Sequence, residues 1–177
     1  MERILVIETN SPKVLILCVG NILLRDEGFG PAVASQLMDR FVLPPELSVL
    51  DRGVLGMAIL ADLQGVEEVL VIDAVDNSGQ PPGSILQFSP SDLAEYQVFH
   101  TAHDVHLADV LQAAALIGLT PKVTCLGVQV QDISPDEYQI GLTPAVAAAV
   151  PRMLELVEAW LAQRGIKITK LGERLKS

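Results

Sequence analysis

The chain has 177 residues, half of them apolar, and a formal charge of −10. That length suits one domain with a full core, residues 1–177, with flexible termini expected at 1–13 and 165–177. The charge argues against general affinity for nucleic acid or anionic lipid, and no apolar span has the length a bilayer needs. The first ten residues lack the apolar run and small-residue cleavage site of a secretory signal, so a cytoplasmic setting is expected.

Pro12 precedes the first confident strand, an apolar run over residues 14–19. Helical spacing then covers residues 30–41, with Pro31 tolerated in the first turn. A second strand is expected at 47–51, a short helix at 57–63, and a third strand at 69–75. The third is apolar on both faces, as a central parallel strand should be, except for Asp73 near its end. A fourth strand at 84–88 follows too closely for a parallel crossover, so it should run antiparallel. A helix over 104–118, a fifth strand at 122–128 and a last helix opening at Thr143 and Pro144 complete the pattern. Pro151 should kink or interrupt that helix. These elements predict an α/β fold: a three-layer sandwich around a mostly parallel sheet of about five strands, one of them antiparallel. Cys18 and Cys125 fall inside apolar strands and read as buried hydrophobes. Residues 164–177 carry five basic side chains against one acid, a short cationic tail on an acidic body.

In such folds ligands bind beyond the carboxyl ends of the parallel strands. The loop leaving the first strand reads GNILLRDEGFG over residues 20–30. Its glycines resemble a phosphate loop, but Asp26 and Glu27 would repel an anion, so a nucleotide is not expected. The loop suits a cation, with Glu27 or Asp26 as an oxygen ligand, while Asp26 has the alternative of capping the helix that follows. Glu27 is a poor cap and carries more of the functional reading. Asp73 ends the third strand at the same edge. His103 begins the helix whose apolar stripe is Leu107, Val110, Leu111, Ala114 and Ile117, and it extrapolates to the centre of that stripe. A three-histidine cluster of His100, His103 and His106 fits less well, because that spacing does not keep three side chains convergent. Two carboxylates and an imidazole suit an open site for nickel, zinc, iron or manganese.

The ordered segments GNILLRDEGFG (20–30), VIDA (71–74), HDVHLADVL (103–111) and IGLTP (140–144) resemble the successive motifs of the NiFe-hydrogenase maturation proteases. The resemblance implies a cytoplasmic endopeptidase, grouped with the aspartic-type endopeptidases. It would remove a short C-terminal extension from a hydrogenase large-subunit precursor after nickel insertion. It also implies that Glu27, Asp73 and His103 contact nickel carried by that precursor and do the catalytic work. Where the family commonly shows Asp-Gly-Gly-Thr, this chain has Asp51, Arg52, Gly53 and Val54. A non-catalytic, metal-dependent chaperone or sensor of the same precursor is the alternative reading.

Overall fold

A computed structural model describes residues 13–53, 56–89, 107–133 and 138–172. Five strands form the central sheet: β1 (Val14–Cys18), β3 (Leu47–Asp51), β4 (Glu68–Val75), β5 (Ile85–Phe88) and β6 (Lys122–Gln129). Their spatial order is β3-β1-β4-β6-β5. The first four are parallel, and β5 pairs antiparallel with β6, as its short connection requires.

Strand alternation sends two apolar sets to opposite faces. Ile16, Cys18, Leu70 and Ile72 join one core cluster with α1 (Phe29–Arg40) and α5 (Ala149–Ala162). Leu15, Leu17, Val69 and Val71 join a second with α2 (Ile59–Asp62) and α3 (Leu107–Leu116). The sheet is therefore covered on both sides, which is why its central strands are apolar throughout. Burying side chains such as Ile16, Leu70 and Ile72 contributes roughly 1.5–3 kcal/mol each before chain entropy is set against it.

Several boundaries differ from those expected. The first helix stops at Arg40 because Phe41 is extended and begins β2 (Phe41–Val42), which pairs with β7 (Thr169–Lys170). That pairing and the buried side chain of Ile166 fix residues that the sequence reading assigns to a flexible terminus. The last helix is split into α4 (Pro144–Ala147) and α5, with the break at Ala148. Pro151 has no N–H to give the Ala147 carbonyl, so the interruption falls one turn before the proline. Ile117 leaves the α3 stripe and is exposed, because the helix ends at Leu116 and turns through Gly118. The expected helix start at 104 and residues 1–12 and 173–177 lie outside the described residues.

α1 can enter directly over the sheet because its second residue has no side chain. A Cβ on Gly30 would overlap the Val19 carbonyl oxygen and lie 2.8 Å from Val19 N and 2.9 Å from Ile72 O. All three are backbone atoms that cannot swing away. G30A should therefore lower the melting temperature by several degrees, corresponding to overpacking of roughly 1–3 kcal/mol. G56A, where nothing lies within 4 Å, should leave it unchanged. Thermal unfolding of the two variants checks this, and equal melting temperatures would contradict it.

Candidate functional site

The candidate site lies at the carboxyl edge of the parallel strands. β1 ends at Cys18, level with Asp51 of β3 on one side and Ile72 of β4 on the other. Beyond it the chain turns at Gly20, whose φ of +144° and backbone contact with the Glu27 carbonyl both exclude a side chain. The loop then closes in a single 3-10 turn, Arg25–Gly28, immediately before α1. Arg25 holds a left-handed φ of 50°, a strained conformation for a residue with a Cβ.

Glu27 stands in this turn, half-buried. Asp73 is one residue past Ile72, shares the pleat direction of Val71 and Val75, and so lies on the α2 and α3 side of the sheet. It is 7% exposed, and its Oδ1 accepts a hydrogen bond of 2.8 Å from the Ala74 N–H. Burial pushes the Asp73 carboxyl up to about 8, against the lowering effect of the Ala74 N–H and with help from the negative charge of Glu27. Two of the expected site residues, Glu27 and Asp73, are thus brought within electrostatic reach of each other. The third, His103, lies outside the described residues, as do His100 and His106. Among the described residues, no three His, Cys, Asp or Glu side chains converge as a ready-made metal site.

Asp26 does not cap the helix, and both of its carboxylate oxygens are engaged elsewhere. The turn and α1 have no side-chain cap, and Asp26 is fully buried. Its Oδ1 accepts from the Thr143 N–H at 2.6 Å. Its Oδ2 accepts from the Gln131 N–H at 2.9 Å, the Asp132 N–H at 3.0 Å and the Thr143 hydroxyl at 2.9 Å. The carboxylate is directed into the loop between β6 and α4, not toward Asp73. Arg25 reinforces the same junction through Gln139 and through Asp132, 3.3 Å from its Nε.

Asp51 is a further acid at this edge that sequence reasoning did not select. It is exposed, its Oδ1 accepts from the Gly53 N–H at 2.9 Å, and Arg52 pairs with Asp62. Burial first, then the charges of Asp51 and Asp73, push the Cys18 thiol up, so Cys18 is an inert buried residue, not a nucleophile. An acid closing an apolar strand is the signal that singles out Asp73, and it applies to Asp51 as well. On the outer side, Ile22, Leu23, Tyr138 and Ile140 are exposed along the two chain segments joined at Leu24 and Gln139. This gives the acidic edge an apolar border.

A family model described as hydrogenase maturation protease matches residues 31–160. The Hydrogenase 2 maturation protease of Escherichia coli (strain K12) is 34% identical over 157 residues, covering 88% of this chain and 94% of the relative. The chain belongs to the hydrogenase maturation proteases. Among solved structures, the hydrogenase maturating endopeptidase HybD from E. coli superposes with a TM-score of 0.81 at 33% identity. It covers 91% of this chain and 99% of its own. The hydrogenase 2 maturation peptidase from Thaumarchaeota archaeon SCGC_AB-539-E09 gives 0.63 at 31%, covering 85% and 98%. As a hydrogenase maturation protease the chain is a peptidase that acts in hydrogenase processing. No helix among the described residues is long and apolar enough to cross a membrane.

The raised Asp73 carboxyl has a measurable consequence for stability. The unfolded chain loses that proton near the ordinary carboxyl value of 3.8, while the folded chain holds it to about 8. The contribution of a protonated Asp73 is therefore complete below about 4 and is lost as pH rises toward 8. D73N should be more stable than the parent at pH 8, by on the order of a few kcal/mol, with the gap closing toward pH 4. Denaturant unfolding at the two pH values checks the sign. A gap that widens on acidification would contradict it.

Proposed function

We propose that this hydrogenase maturation protease removes the C-terminal extension of a NiFe-hydrogenase large-subunit precursor after nickel has been inserted. In this proposal Glu27, Asp73 and His103 grip the nickel that the precursor carries. The observation that carries the proposal is that the buried Asp73, near the end of β4, and Glu27, in the turn that leads into α1, lie at one strand edge, near enough for the charge of Glu27 to add to the effect of burial on the Asp73 carboxyl. A divalent cation between them would convert that repulsion into ligation. Carboxylate oxygens and an imidazole suit nickel. A cytoplasmic setting belongs to the same proposal.

The protein's own part is to hold and orient. Glu27 stands in the turn ahead of α1 and Asp73 on its strand, so a nickel-bearing precursor end gripped by both would have its scissile peptide bond set in one place. The metal supplies polarisation of a carbonyl when present, and a carboxylate outside its coordination is available to activate water. Nickel recognition makes cleavage conditional on a filled precursor. A precursor without metal would lack the group that the two carboxylates and His103 hold.

Mass spectrometry of the large subunit, incubated with this chain in nickel-loaded and nickel-free forms, tests the proposal. Loss of the C-terminal peptide from the loaded form alone is expected. Equal cleavage of both forms would refute the nickel requirement, and binding without loss of mass would indicate a chaperone or sensor. E27Q, D73N and H103A should each slow cleavage by about 100-fold. Nickel can replace the Asp73 proton only by displacing it, so calorimetric nickel affinity of the isolated chain should rise roughly tenfold per pH unit toward pH 8 and then level off. An affinity independent of pH between 6 and 8 would remove Asp73 from the ligand set.

A further inference from the structure

Asp26 is a buried carboxylate for which neither ligation nor capping accounts. Its side chain has no exposure, and every partner shown for it is a donor: the N–H groups of Gln131, Asp132 and Thr143 and the Thr143 hydroxyl. An ionised carboxylate is stable in such a place only when its oxygens are met in this way. An asparagine there would turn an NH2 group toward donors and leave bonds unmade.

The donors come from a segment more than 100 positions away in sequence, and the backbone repeats the connection. Asp26 N donates to Asp132 O at 3.1 Å, Arg25 N to Gln139 O at 2.8 Å, and Gln139 N to Leu23 O at 2.8 Å. The loop after β1 and the loop after β6 are thereby joined. Glu27 follows Asp26 directly, in a four-residue turn without a side-chain cap. A turn that short has little internal stability, so its placement depends on what its neighbours hold.

We propose that Asp26 is a positioning residue that clasps the loop after β6 to the loop after β1 and thereby fixes Glu27 against Asp73. Thr143, which supplies two of the four bonds and is 2% exposed, is its principal partner. The effect on cleavage rests on the proposed role of Glu27, whereas the clasp itself does not. The strained φ of Arg25 fits this arrangement, since such a conformation persists only where the surroundings over-determine it.

The test uses the full chain and three variants, D26N, T143V and T143S, with two readouts: amide hydrogen exchange, and kcat and KM for processing of the nickel-loaded precursor. D26N should speed exchange by about tenfold or more in both residues 21–28 and 139–143, while amides in β1 and β4 keep their protection. It should also lower kcat about tenfold or more with KM changed less than about twofold. T143V should move both readouts the same way by a smaller factor, and T143S, which keeps the hydroxyl, should restore them. Should D26N fail to fold, the contrast between T143V and T143S carries the test. Exchange that rises in only one loop, T143S behaving as T143V, or loosened loops with unchanged kcat would overturn the proposal. Failure of the parent chain to cleave would refute the processing reading alone, and the exchange pattern would still decide the clasp.

Discussion

The site depends on a conflict between burial and charge: Asp73, near the end of a central strand, is taken out of water, and the charge of Glu27 adds to the cost of ionising it. Desolvation makes a second negative charge there costly and pushes the Asp73 carboxyl up to about 8. Such a pair is poorly suited to stabilising a fold and well suited to receiving a cation. Residues arranged only for stability would place an apolar side chain at position 73, as at Val71 and Val75 on the same strand face.

The scaffold maintains that conflict by leaving the acidic loop little freedom. β1 and β3 stop in step, with Cys18, Asp51 and Ile72 level, while β4 runs on through Asp73 to Val75, so the loop leaves β1 beside Asp73. Gly20 and Gly30 let the backbone return at contact distance, while Asp26 and Arg25 tie the loop to the segment after β6. These constraints are backbone contacts and buried hydrogen bonds, which are directional. They differ from the apolar packing that holds the two helical layers, which fixes volume more than angle.

Much of this was legible in the chain because the signals are local. Apolar runs of strand length, the helical spacing of α3 and the short interval before β5 give the layers and the one antiparallel strand. Asp73 is legible because it interrupts an apolar strand. The family likeness, borne on residues in four separate segments, was legible as well. Other features were hidden for physical reasons. The β2 and β7 strands are two residues each, too short for a period, and their pairing joins Phe41 to Lys170 across most of the chain. Asp26 reads locally as a cap or a ligand, because nothing near it announces that Thr143 will complete its bonds. Asp51 ends its strand and Asp73 lies near the end of its own, but only the sheet order shows that both flank the end of β1.

The central claim is that Glu27 and Asp73 face a common point able to hold a divalent cation. Anomalous diffraction at the nickel absorption edge, from crystals equilibrated with nickel at pH 8, tests it most directly. The account predicts a single strong peak with one oxygen from each carboxylate at about 2.0–2.2 Å, the range for a first-row divalent ion. A peak that touches only one of the two, or ordered nickel elsewhere with the pair left bare, would contradict it.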